Sequence, residues 1–84
     1  MDRFVKIAPN SYLQIADIKY TTGYEVNTVI KKVRAMRKEG KIIDLTQGKK
    51  ILCVIFLKDD TAILVNSTPE TINNRIDGTA KQGK

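Results

Sequence analysis

Ile51-Leu52-Cys53-Val54-Ile55-Phe56-Leu57 is the longest unbroken apolar run in the chain, and Lys58-Asp59-Asp60 then Ala62-Ile63-Leu64-Val65 follow it closely. A short run rich in β-branched residues and closed by a polar turn reads as a strand covered on both faces, with a partner strand returning beside it. Upstream, Ile43 and Leu45 alternate with polar residues until the corner Gln47-Gly48-Lys49-Lys50. That corner reads as a tight turn between two strands, with Gly48 allowing the reversal and two lysines at its tip.

Further upstream the period changes. Val26, Val29, Ile30, Val33 and Met36 recur at the spacing of a helix face, with Asn27 or Thr28 as candidate caps and Gly40 where a left-handed C′ residue belongs. At 100° per residue, Lys31, Arg34 and Lys38 line a different side, so the helix is amphipathic with a cationic flank. Arg37 falls on the apolar row and must snorkel out or find a carboxylate, for which Asp44 is the candidate. Before this helix Thr21-Thr22-Gly23 breaks the pattern. Phe4, Ile7, Leu13, Ile15 and Ile18 alternate around Pro9-Asn10-Ser11 and predict a two-stranded hairpin.

At the other end, Ser67-Thr68-Pro69-Glu70 is a helix start: a hydroxyl cap, a proline where its missing N–H is harmless, and an early carboxylate at the positive helix end. The expected fold is therefore α+β. It comprises a small, about five-stranded antiparallel sheet, one amphipathic helix over about 26–39 and a short helix over about 68–76. A single domain over 1–77 and a disordered polar tail over 78–84 complete the expectation.

Composition narrows the function. An 84-residue domain buries only roughly 60% of its unfolded surface, so added stabilisation from staples or self-association is expected. One cysteine forbids an internal disulfide, and the absence of histidine removes the nitrogen ligands of a zinc site. Cys53, inside the apolar run, reads as a small buried hydrophobe. Self-association remains, and seven consecutive apolar residues are hard for one small domain to cover alone. No run reaches the ~18 residues of a membrane span, and the N-terminus lacks an apolar signal region, which suggests a cytoplasmic protein.

No acid/base pair stands out, Asp59-Asp60 reads as a turn, and Gly48-Lys49 lacks the rest of a phosphate loop. An enzyme, a cofactor and a small-molecule substrate are therefore not expected. The net charge of +6, by contrast, is localised: residues 31–50 hold eight Lys or Arg against two carboxylates, and the remainder is neutral overall. That is the footprint of a polyanion-binding surface. The candidate DNA-binding residues are Gly48, Lys49 and Lys50 of the turn, with Lys31, Arg34, Lys38 and Lys41.

Arg37-Lys38-Glu39-Gly40, then Ile43-Asp44-Leu45-Thr46-Gln47-Gly48-Lys49-Lys50, and later Pro69-Glu70-Thr71 with Arg75, give the sequence a resemblance to the RemA-type extracellular matrix regulators of bacteria. The match is ungapped from Phe4 to Ile76. The resemblance implies a compact α+β subunit that closes into rings, binds duplex DNA through the basic turn and controls biofilm matrix genes. It also implies a nucleoid-associated location. Lys49 and Lys50 stand at two positions where the family carries DNA-contacting arginines, Asp17 stands where arginine is usual, and Thr28 replaces a proline. Two other readings remain open. One is a winged helix with residues 27–39 as recognition helix and the Gly48 turn as wing, which requires Tyr12–Tyr20 to be helical. The other is an interaction module whose lysines meet acidic protein partners.

Overall fold

The structure is a computed structural model that describes residues 3–82, with side chains described through Gly78. In chain order it contains β1 (Phe4–Ala8), β2 (Ser11–Gln14), a single 3-10 turn (Ile15–Asp17), β3 (Ile18–Gly23), α1 (Asn27–Lys38), β4 (Ile42–Asp44), β5 (Cys53–Leu57), β6 (Ala62–Val65) and α2 (Pro69–Gln82). The class is α+β, as the hydropathy periods predict. The strands form two sheets, an antiparallel hairpin β1-β2 and a four-stranded sheet ordered β3-β5-β6-β4, in place of one sheet of about five strands.

The second sheet is also not wholly antiparallel. β3 pairs antiparallel with β5 and β5 antiparallel with β6, but β4 runs parallel to β6. The reason is α1. A helical crossover returns the chain in the direction in which it left, so β4 is parallel to β3, and β5 and β6 fill the space between them. The expected hairpin pairing across the Gly48 corner is therefore absent, since β6 lies between β4 and β5.

Each strand of the apolar heart splits its residues between two cores. Val54 and Phe56 of β5, with Ala62 and Leu64 of β6, face α1 and meet Val33 and Met36. Cys53, Ile55 and Leu57, with Ile63 and Val65, face the other way onto Val5 and Ile7 of the hairpin and Ile72 of α2. The alternation is the two-residue period of a pleated strand, and each large aliphatic residue buried in this way contributes about 1.5–3 kcal/mol. All of β5 and β6 is buried within one subunit. Cys53–Leu57 therefore need no second copy to cover them, whereas Ile51 and Leu52 are half-buried, so the part of the run inside the sheet gives no reason for self-association.

Local signals fared unevenly. The hairpin turns at Pro9-Asn10, with Asn10 at φ 60°. Gly40, at φ 72°, closes α1 in a Schellman motif: its N–H donates to the Arg37 carbonyl (3.1 Å) and the Lys41 N–H donates to the Met36 carbonyl (3.0 Å). At the other end neither Asn27 nor Thr28 caps the helix. Val26 holds the N-cap position with no side-chain bond, and its carbonyl accepts from Ile30 N–H at 3.0 Å. Thr21-Thr22-Gly23 does not interrupt the chain but completes β3, paired with residues 53–55.

Thr68 caps α2 as expected, its hydroxyl accepting from Thr71 N–H at 3.2 Å. That helix continues past Ile76 to Gln82, into the polar stretch read as a disordered tail. Nothing in Asp77-Gly78-Thr79-Ala80-Lys81-Gln82 stops a helix outright: there is no proline, and one glycine weakens it by only about 1 kcal/mol. Residues 83–84 of that tail lie outside the described residues. The segment Tyr12–Tyr20 is strand, one 3-10 turn and strand, which removes the winged-helix reading.

Candidate functional site

The corner 45–52 is a crossover, not a hairpin tip. Leu45 N–H donates to the Leu64 carbonyl (2.9 Å), Leu52 N–H to the Val65 carbonyl (3.0 Å) and the Asn66 side-chain amide to the Lys50 carbonyl (2.6 Å), so the segment wraps over the end of β6. Within it, Lys49 N–H donates to the Thr46 carbonyl at 3.0 Å, and the two central residues Gln47 and Gly48 have φ of 56° and 82°. Positive φ at both centres belongs to the mirror-image I′ turn, which suits glycine and strains glutamine. The turn is anchored on one side by Asp44, whose carboxylate accepts from both the hydroxyl (2.6 Å) and the N–H (2.9 Å) of Thr46. Those bonds, the hydroxyl first, hold the Asp44 carboxyl below its ordinary value, with a smaller contribution from the charge of Arg37. Asp44 thus serves Thr46 rather than Arg37, which lies exposed.

Lys49 and Lys50 share the turn but not a surface. Lys49 lines a cleft of about 280 Å³ together with Lys6 of β1, Arg75 of α2, Gln47, Asn66 and Ser67. Among the described residues, every charged group on its wall is a cation. Arg75 is fixed there by donating from its guanidinium to the Lys6 carbonyl at 3.2 Å. Lys50 lines a separate cleft of about 220 Å³ with Tyr24, Glu25, Ile51 and Leu52, where a carboxylate accompanies it. The two lysines therefore serve different faces of the molecule.

The remaining candidates lie elsewhere. Lys31, Arg34 and Lys38 are exposed on α1, on the side turned from Val33 and Met36, and Lys31 and Lys38 are separated by roughly 10 Å of helix rise. Lys32, between them in sequence, is drawn to the sheet: its ammonium lies 4.9 Å from the Phe56 ring centroid, and Phe56 stacks on Tyr20 at 4.7 Å. Lys41 immediately precedes β4, its carbonyl accepting from Ala62 N–H, at the end of that strand opposite the Gly48 turn. The seven expected residues therefore form three groups: the turn, the outer stripe of α1, and Lys41.

Lys6 and Arg75 escaped sequence reading because they belong to stretches whose charges cancel. Arg75 follows the Pro69-Glu70-Thr71 landmark as part of the same resemblance, so a signal existed for it. Lys6 had none. Cys53 is fully buried, and burial pushes its thiol up to about 11 despite a hydrogen bond with the Thr22 backbone, so it is no nucleophile at neutral pH. No helix among the described residues is long and apolar enough to cross a membrane.

The family model described as RemA-like, extracellular matrix regulatory protein A-like, matches residues 4–76. The chain belongs to the RemA-like family. Two relatives, from Geobacillus kaustophilus and Geobacillus thermodenitrificans, both carry the name "Putative regulatory protein". Each is 28% identical over 78 residues, which is 93% of this chain and 90% of the relative. The match spans both sheets, α1, the Gly48 turn and α2 as far as Ile76.

Proposed function

We propose that this protein is a non-enzymatic, DNA-binding transcriptional regulator that acts as a homo-oligomer and grips the phosphate backbone of duplex DNA. The observation that carries the reading is the crossover turn, which presents Lys49 and Lys50 on a backbone braced by Asp44, Thr46 and β6. The stripe Lys31, Arg34 and Lys38 adds a second cationic surface, and Lys41 extends the positive field. Lysine is a mobile point charge suited to phosphate, whereas an arginine fork reads guanine in fixed geometry. Affinity therefore comes from many phosphate contacts summed over subunits, with DNA shape supplying the discrimination.

Support for self-association comes from outside the core. Phe4 and Tyr12 lie 54% and 65% exposed on the hairpin, and Ile43 is 47% exposed on β4, a three-residue edge strand. Such apolar surface at a strand edge favours a neighbour, and the family resemblance supports a ring and control of matrix genes as the output. The test is the size of the protein with and without mixed-sequence duplex DNA across a salt series. Lys49→Ala combined with Lys50→Ala should abolish DNA binding and leave the oligomer intact. A double variant that binds like the parent refutes the assignment of the turn, and a parent that stays a monomer at micromolar concentration refutes the oligomer. If the parent binds an acidic protein but no DNA, the lysines serve an interaction module.

A further inference from the structure

The cleft of Lys6, Lys49 and Arg75 joins three cations from parts of the chain far apart in sequence: the hairpin, the crossover and α2. Lys6 and Arg75 lie outside the basic segment 31–50, so their meeting with Lys49 is a product of the fold alone. Among the described residues no carboxylate lines the cleft, in contrast to Glu25 beside Lys50 and to Asp17 and Asp59 beside Lys58 at another cleft. Three like charges brought together repel one another, and a bound anion relieves that repulsion.

The polar groups around them fit the same ligand. Arg75 spends one of its five N–H donors on the Lys6 carbonyl, which orients the guanidinium plane and leaves four for another acceptor. Ser67 contributes a hydroxyl, and Gln47 and Asn66 contribute amides. The volume of about 280 Å³ lies just under the usual range of about 300–1,000 Å³ for small-molecule pockets. It suits one phosphate with its attached sugar, a nucleotide's base lying outside the cleft.

We propose that this cleft is a phosphate-ester site, one per subunit, in which Lys6 and Arg75 join Lys49 as ligand contacts. The proposal rests on the DNA-binding reading where the phosphate belongs to a DNA backbone. A free nucleotide would present the same chemistry. Lys49 then contributes more to anion binding than Lys50, whose charge is partly balanced by Glu25.

Two measurements on the full chain decide it. In the first, anisotropy of a labelled mixed-sequence duplex is followed across a KCl series for the parent, Lys6→Gln, Arg75→Gln and Arg75→Lys. Each lost phosphate contact should flatten the log–log salt slope by about 0.9 and weaken binding about eightfold at 0.1 M salt, with Arg75→Lys restoring part of the loss. In the second, thermal unfolding is followed with inorganic phosphate and with adenosine monophosphate at constant ionic strength, because a ligand of the folded state raises the midpoint.

A changed slope without a thermal shift assigns the site to the DNA backbone. A thermal shift that Arg75→Gln removes, without a changed slope, assigns it to a free phosphate ester. Unchanged slopes in both glutamine variants together with no thermal shift overturn the site, while DNA binding by the parent would still stand. A parent that binds no DNA overturns the DNA reading, and the thermal measurement alone then decides the cleft. Lys6→Gln keeps the backbone carbonyl that Arg75 uses, so it reports on charge even if Arg75→Gln disturbs packing.

Discussion

Gly48→Ala isolates the backbone conformation of the turn that carries the proposed DNA contacts. Gly48 has φ +82°, and a Cβ built there meets nothing within 4 Å, so the substitution adds strain without a clash. Holding an L-residue in the left-handed region costs roughly 1–2 kcal/mol. An 84-residue domain has a total stability of only about 4–12 kcal/mol, so the loss should be visible. At about 4–8 °C per kcal/mol for a domain of this size, the unfolding midpoint should fall by roughly 4–16 °C.

The assay is circular dichroism during heating and during urea titration, at one fixed protomer concentration because self-association shifts apparent stability. The urea midpoint should fall with the slope unchanged, the signature of a change in stability rather than in compactness. Gly48→Asn should lose less than half as much, since asparagine tolerates left-handed backbone. DNA binding should weaken in Gly48→Ala if the turn relieves its strain by moving Lys49 and Lys50. An unchanged midpoint in Gly48→Ala would mean that the turn is not left-handed at this position. A loss much above ~3 kcal/mol would mean that the Cβ meets an obstacle, contrary to the open space around it.

Gly78→Ala should act in the opposite sense: nothing lies within 4 Å of its Cβ and it sits inside α2, so alanine should add about 0.5–1 kcal/mol, whereas no gain in midpoint would show that the helix ends near Ile76. Acid should loosen the turn through Asp44. Its folded-state pKa is lowered by the Thr46 hydroxyl and N–H, so its contribution is present above the unfolded value of about 3.9 and is lost as pH falls through the folded value. Carboxyl NMR should find Asp44 below an ordinary aspartate, and Thr46→Val should move it upward; an unmoved value would separate the carboxylate from the turn.

Much of the chain was legible in one dimension because the deciding interactions are local. The alternation in 53–57 and 62–65, the Schellman glycine at position 40 and the Thr68-Pro69-Glu70 helix start each depend on residues within a turn or two of one another. The resemblance carried in residues 37–50 and 69–75 likewise led to the family. The failures share the opposite property. Whether β4 pairs with β5 or crosses to the far side of β6 is decided by where α1 lays the chain down, and no pattern within 42–57 encodes that choice.

The same holds for Cys53–Leu57, whose hydropathy requires cover on both faces but cannot say that α1, the hairpin and α2 of the same subunit provide it. Sequence by itself determined the hairpin, α1, the start of α2, the apolar heart and the concentration of charge in residues 31–50, but not β3 as a strand through Gly23 or the length of α2. Only the tertiary structure decided that Lys49 and Lys50 part to different clefts, and that Lys6 and Arg75, from stretches without net charge, join Lys49. Charge along the chain is a sum over neighbours in sequence, whereas a binding surface is a sum over neighbours in space, and the β3-α1-β4 crossover makes those two sums differ.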